Sequence, residues 1–367
     1  MKQTDIAKNA HKKFVNKYNK KHFLIGFDGF IDEIIHVVDK RKNPYEYIRV
    51  SEIKAFSERI AQVAGLSANI ELVPVQTKLG GNGPIMANAV LAQDHDVTYI
   101  GAIGKHYIHP VFREFSEKCK KVISLTEPGH TDALEFYDGK IMLGKMNNLV
   151  DISWKNLLEK INIKEIEDTL NNTDLIAFTN WTMLSNLNSI MREFNNIIKN
   201  INNKPKVFID LADPAKRTTE DIIEVLDIIS AIETETVFSM NHNESTIISD
   251  VMGIKEDKLP SRAKILREKL NITSTIIHPA HGAVISNEEE TQWIDGPYTS
   301  KPKLTTGAGD NFNTGFCNGW INNLKPSEAL IIGVCTSGFY VRKEYSPSKN
   351  ELSEFMQTWI DNDCGDI

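Results

Sequence analysis

The residues Leu304-Thr305-Thr306-Gly307-Ala308-Gly309-Asp310-Asn311-Phe312 are of the types that phosphate chemistry needs. Gly307 and Gly309 lack a Cβ, so the backbone can turn sharply and offer successive N–H groups to an anion, with the positive end of a following helix adding attraction. Asp310, at the head of that helix, is placed to take a proton from an alcohol while the amides hold the phosphoryl group the alcohol attacks. A glycine turn followed by an aspartate cap reads the same way, so the tetrapeptide alone does not separate catalysis from capping.

Two other groups bear on the choice. The apolar run Phe23-Leu24-Ile25-Gly26-Phe27 reads as a buried strand and ends in Asp28-Gly29-Phe30-Ile31-Asp32. Ligands of open α/β sheets gather at the carboxyl ends of strands, which makes Asp32 and Asp28 candidate acceptor contacts; either could instead cap a turn. Lys78-Leu79-Gly80-Gly81-Asn82-Gly83-Pro84 is a second glycine-rich loop, with Pro84 suited to the first turn of a helix through Ile85, Ala89 and Ala92. Its spacing is not the dinucleotide fingerprint and it lacks the lysine of a P-loop.

The elements that must position these residues follow from apolar spacing. Residues 1–20 suggest an amphipathic helix. Ile34 to Val38 extend the strand region, and a polar, helical passage runs from Pro44 to about Ala64. Val97 to Gly101 is a strand, and Asp138-Gly139 between apolar runs marks a hairpin. From about residue 150, strands at Leu175–Phe178, Val207–Leu211, Val237–Met240 and Thr275–Ile277 alternate with helical stretches. That alternation predicts an α/β fold with a parallel sheet covered on both faces. Helices are expected through Phe312 and Phe316 and after Pro326. No repeat or linker divides the chain.

At 367 residues, 41% hydrophobic and 25% charged, the chain has the composition of a globular protein, and its net charge of −7 gives no attraction to nucleic acid. Lys12, Lys13, Lys17, Lys20 and Lys21 read as a solvated helix face. Cys119, Cys317, Cys335 and Cys364 are too scattered for a zinc or redox motif. No membrane span or secretion signal is evident, so a cytoplasmic location is expected.

In order, the acidic loop after the first strand, Gly80-Gly81-Asn82-Gly83, Asn241-His242-Asn243-Glu244 and Thr306-Gly307-Ala308-Gly309-Asp310 resemble the ribokinase-like, or PfkB, carbohydrate kinase family. The resemblance runs from about Leu24 to Gly338. It implies a three-layer α/β/α domain over residues 1–367 with a mostly parallel sheet and a small β lid from about 33–50 and 130–147, and a homodimer formed through that lid. It implies transfer of the ATP γ-phosphate to a hydroxyl of a sugar or sugar derivative, with magnesium. Asp310 would be the base, and Gly307, Ala308 and Gly309 the anion hole. Asp32, Asp28, Gly80, Gly81 and Asn82 would meet the sugar. Thr306, Asn241, Glu244, Gly282 and Gly338 would meet the nucleotide, with Asn241 and Glu244 supporting the magnesium region. Asp210-Leu211-Ala212-Asp213-Pro214 with Arg217 is similar, loosely, to another family segment.

Departures stand beside the resemblance. Lys105 follows Gly104 where many members have an acid, His278-Pro279-Ala280 replaces Thr-x-Gly, and Leu304 replaces the aspartate that helps these enzymes hold potassium. Two rival readings are a haloacid-dehalogenase-type phosphatase with Asp28 as nucleophile, and a catalytically silent sugar-binding relative. Phe30 stands where the phosphatase needs its second carboxylate.

Overall fold

A computed structural model of the protein describes residues 2–367. In chain order the first part carries α1 (Gln3–Asn16), β1 (His22–Phe27), β2 (Phe30–Arg41), β3 (Tyr47–Arg49), α2 (Ile53–Gln62), β4 (Leu72–Gly80) and α3 (Asn82–Ala92). It continues with β5 (Asp96–Gly101), α4 (Arg113–Lys118), β6 (Lys121–Ser124), β7 (Gly129–Glu135) and β8 (Lys140–Lys145). Then come α5 (Trp154–Leu158), α6 (Ile163–Asn171), β9 (Leu175–Thr179), α7 (Leu187–Asn200), β10 (Lys206–Asp210), α8 (Thr219–Ser230), β11 (Thr236–Met240) and α9 (His242–Val251). The last part is α10 (Leu259–Leu270), β12 (Ser274–Ile277), β13 (Gly282–Ser286), β14 (Thr291–Asp295), α11 (Ala308–Ile321), α12 (Pro326–Lys343) and α13 (Lys349–Asp361).

Nine strands form the main sheet in the order β14-β13-β12-β11-β10-β9-β1-β5-β6. From β12 to β6 they run parallel, while β13 and β14 are antiparallel additions. Pleating sends alternate side chains to opposite faces. Ile176, Phe178, Val207 and Ile209 pack with α5 to α10, whereas Leu175, Ala177 and Phe208 pack with α1, α3, α4, α11, α12 and α13. Apolar side chains on both faces are what a three-layer α/β/α arrangement requires. The carboxyl ends of β1, β9, β10 and β11 therefore open on one edge of the sheet, where Asp28, Asn180, Asp210 and Asn241 stand.

A second sheet grows out of β2. This strand pairs with β7 in parallel and with β4 antiparallel along its first half, with β3 along its second, while β8 pairs with β7. Ile35, Val37, Leu134 and Phe136 on one of its faces are buried under Phe56 of α2, a small core of its own. β4 is absent from the sequence expectation, which placed only a loop near residue 78. Its residues are mostly exposed and include Pro74, which lies at the register shift of its pairing with β2. β3 likewise falls inside the passage read as helical, and β6 and β14 stand where the sequence predicts no strand.

Candidate active site

Gly307 precedes α11 with φ +90°, a left-handed conformation in which a Cβ would also stand 2.8 Å from the Tyr340 hydroxyl. That hydroxyl donates to the Thr306 carbonyl at 2.9 Å, and both the amide and the side chain of Asn311 donate to the Gly307 carbonyl. The turn is thus fixed from two sides. Ala308 N–H is used by the Thr305 carbonyl at 3.1 Å. The Gly309 and Asp310 amides lie in the first turn, where helix geometry leaves N–H groups without an acceptor. A Cβ on Gly309 would meet nothing nearer than His278 Cε1 at 3.7 Å.

Asp310 is buried, and its Oδ1 accepts a hydrogen bond of 3.0 Å from Asn82 Nδ2. Burial pushes its carboxyl well above the usual range, and the negative charges of Asp210, Asp28 and Glu244 push the same way against the Asn82 hydrogen bond. Glu244 is itself pushed up to about 8, by burial first and then by Asp210 and Asp213. Asp210 is raised by burial, although Ala212 N–H and Asn313 Nδ2 donate to it at 2.8 and 2.6 Å. No lysine or arginine among the described residues is paired with any of the three. A buried carboxylate set without a compensating cation suits a hard divalent ion.

The first glycine loop is closed differently. Asp28 is fully buried; its Oδ2 accepts from Asn82 N–H at 2.9 Å and Asn180 Nδ2 at 2.6 Å, and its Oδ1 from Gly83 N–H at 2.8 Å. Burial raises this carboxyl to about 6 against those hydrogen bonds. A Cβ on Gly83 would lie 2.7 Å from Asp28 Oδ1, and one on Gly81, at φ +99°, 2.9 Å from Oδ2. At Gly80 it would overlap the Asp32 carboxylate at 2.3 to 2.5 Å. Asp28 therefore has no free surface for a sugar. It holds the start of α3, which aims Asn82 at Asp310.

Asp32, on β2, lines a cleft of about 340 Å³ with Lys78, Asn88, Leu304, Thr306 and Tyr340. Burial raises its carboxyl, opposed by Thr131, Lys78 and His130. A second cavity, of about 470 Å³, is lined by Asn241, His278, Gly282, Pro297, Gly309 and Gly338 among others, including Thr305 and Ala308. Thr306, expected beside the nucleotide, faces the Asp32 cleft instead, and Thr305 takes the other side. Asn241 and Glu244 close a capping box on α9: Glu244 oxygens accept Asn241 N–H at 2.8 Å and Nδ2 at 2.6 Å, and Asn241 Oδ1 accepts Glu244 N–H at 3.0 Å. Glu244 is therefore not bare. Arg217 stacks over Trp181 at 4.2 Å and pairs with Asp221 at 3.0 Å, away from either cavity lining.

The family model described as prokaryotic ketohexokinase matches residues 2–359. The chain belongs to that family. A ketohexokinase of Haloferax volcanii is 26% identical over 344 residues, 92% of this chain and 91% of the relative. A ribokinase of Haemophilus influenzae is 26% identical over 159 residues, 42% of this chain and 48% of the relative. Among solved structures, an adenosine kinase of Sinorhizobium meliloti superposes with TM-score 0.67 at 14% identity, covering 93% of this chain and 98% of that one. A ribokinase of Thermotoga maritima does so with TM-score 0.61 at 18% identity, covering 92% and 100%. The main sheet with its two helical layers is accordingly the ribokinase fold, and the chain is an ATP-dependent carbohydrate kinase of the PfkB class. No helix among the described residues is long and apolar enough to cross a membrane.

Within this prokaryotic ketohexokinase frame, sequence reasoning missed two residues. Asn180, at φ +54° and ψ +43°, follows β9 and ties Asp28 down. An asparagine directly after an apolar strand tolerates this left-handed turn, and that was its only signal. His278 appeared only as a departure. Its ring stacks on Phe312 at 4.6 Å, and burial pushes its imidazole down to about 4, so it stands neutral in the wall of the larger cavity.

Proposed function

We propose that this chain transfers the γ-phosphate of ATP to a hydroxyl of a ketohexose, with Asp310 as general base. One observation carries the reading: the segment 304–309 lines both cavities, with Leu304 and Thr306 in the Asp32 cleft and Thr305, Ala308 and Gly309 in the other. Two substrates would face each other across this turn, with Asp310 next in sequence. The sugar would be held by Asp32, whose carboxylate can accept two hydroxyl hydrogens. The nucleotide would lie along His278, Gly282 and Gly338. The attacking hydroxyl passes its proton to Asp310, its oxygen bonds to the γ-phosphorus, and the bond to the β-phosphate oxygen breaks to leave ADP. Asn82 orients the carboxylate and favours its charged form. The free amides of Gly309 and Asp310 take the charge that builds on the transferred group. Magnesium, held through water near Glu244 and Asp210, would neutralise phosphate charge. The second sheet would serve as the lid of a single kinase domain. Since α2 covers one face of it, a homodimer through the lid would use the opposite face, where Met142 is exposed.

The phosphatase reading asks Asp28 to attack a substrate, and its buried, triply bonded carboxylate opposes that. A coupled ADP-release screen over ketohexoses, aldoses and nucleosides, with ATP and ADP as donors, tests the proposal. Turnover of a ketohexose with ATP is expected. Preference for a nucleoside or an aldose, or sugar binding without turnover, would overturn it.

A further inference from the structure

On the second sheet, Glu33, His130 and Asp132 bring two carboxylates and an imidazole together, with one ligand atom from each within 4.8 Å of the others. Strand register explains the grouping. Glu33 pairs with Asp132 and Ile31 with His130, so pleating puts these side chains on one face and Asp32 with Thr131 on the other. His130 Nε2 lies 3.3 Å from Glu33 Oε2 and 3.8 Å from Asp132 Oδ1. That nitrogen is shielded from solvent, yet it makes no hydrogen bond to any described residue. Shielded polar atoms are nearly always paired, so one standing open between two carboxylates calls for a partner.

The spacing says what kind. With metal–nitrogen and metal–oxygen bonds of about 2.0 to 2.2 Å, two ligand atoms on a tetrahedral zinc stand about 3.3 to 3.5 Å apart. The nitrogen and Glu33 Oε2 already have that separation, and small rotations of Asp132 and Glu33 side chains on the partly exposed surface would close the rest. A cation also stands there now. Lys145 Nζ is 2.9 Å from both oxygens of Asp132, and its side chain, 62% exposed on the last residue of β8, can swing into solvent.

We propose that Glu33, His130 and Asp132 form a binding site for one divalent transition-metal ion of the zinc class, which displaces Lys145 from Asp132. Imidazole nitrogen with carboxylate oxygens suits zinc, cobalt or nickel, whereas magnesium prefers oxygen ligands and keeps its waters. The ion binds through the lone pair of Nε2, so the ring is neutral when loaded and any second proton leaves to solvent. Bound there, it joins β2 to β7 directly behind Asp32. The proposal is independent of which sugar the enzyme takes.

The test is a titration of the full chain with cobalt(II) and zinc(II), in excess magnesium so that the phosphate region is occupied, followed by calorimetry and by the visible bands of cobalt. One ion per chain is expected. His130→Ala should weaken binding at least about tenfold, since losing even an outer-shell partner of a metal costs about 10- to 100-fold. Lys145→Ala should bind more tightly than the parent, a gain that misfolding cannot produce. Absence of binding by the parent, or variants that titrate like it, would overturn the site.

Discussion

Two glycine-rich loops face each other at Asp310, and they need glycine for opposite reasons. Around Gly80-Gly81-Asn82-Gly83 the space that Cβ atoms would fill is already occupied by the protein's own carboxylates, Asp32 at Gly80 and Asp28 at Gly81 and Gly83. At Gly309 the corresponding space is open, with no atom nearer than 3.7 Å. The first loop is glycine because of internal packing, as is Gly307 beneath the Tyr340 hydroxyl, whereas Gly309 leaves its backbone open to a visitor. A glycine motif in a sequence thus marks close approach without saying whether the visitor is the chain or a ligand.

The strongest way to break that contrast is at the carboxylates. Asp32→Ala should raise the acceptor KM by about 10- to 100-fold and leave that of ATP nearly unchanged, since a hydrogen bond to a charged group contributes about 1.5 to 3 kcal/mol. Asp28→Ala should act elsewhere. It strands Asn82 N–H, Gly83 N–H and Asn180 Nδ2 in a buried place, at about 1 to 3 kcal/mol for each unsatisfied group. A lowered melting temperature and kcat are expected, with little specific effect on acceptor KM. Equal KM effects from the two variants would erase the distinction.

The glycines themselves give the next effect. Gly83→Ala forces a methyl to 2.7 Å from Asp28 Oδ1 and 2.9 Å from the Tyr99 hydroxyl, and should cost about 1 to 3 kcal/mol in denaturant unfolding. Gly309→Ala has room and sits in a helix, so stability should hold or rise by up to about 1 kcal/mol while the KM for ATP rises. Reversed stabilities would mean that the two loops have been confused.

A smaller shift should follow Asn82→Ala. The Asn82 hydrogen bond lowers the Asp310 pKa, which burial and nearby acids hold high. A base works only after losing its proton, so removing the bond should move the acid limb of kcat/KM to higher pH. A limb that stays or moves down would take Asn82 out of this role. The smallest effect expected is from potassium. Leu304 offers no side-chain oxygen to a hard cation, so replacing potassium with tetramethylammonium at constant ionic strength should leave most activity intact. A drop of about tenfold, restored by potassium, would show that other oxygens build the site.

What the sequence disclosed follows the same division. In the main sheet β1, β5 and β9 to β12 were legible because burial on both faces makes them short apolar runs, whereas the half-exposed edge strands β6 and β14 were not; α11 was legible because its glycines and Asp310 stand together. β4 was not, because its strand character comes from pairing with β2 and its side chains are mostly exposed. Asp28 and Asp32 looked alike as two acids after a strand; only the register and the direction of β2 separate the one that holds α3 from the one in the cleft. Asn82 was legible as a loop residue near the substrate, but its hydrogen bond to Asp310 crosses from residue 82 to residue 310, beyond any local pattern.

The most direct measurement is rapid-quench phosphoryl transfer by Asp310→Asn under single-turnover conditions, with ATP binding followed in parallel. The substitution keeps size and removes basicity, so transfer should slow by about 10² to 10⁴-fold, the contribution of a general base, while ATP binding is nearly unchanged. A variant that transfers phosphate within about threefold of the parent rate would contradict Asp310 as the base, because general-base assistance contributes far more than that.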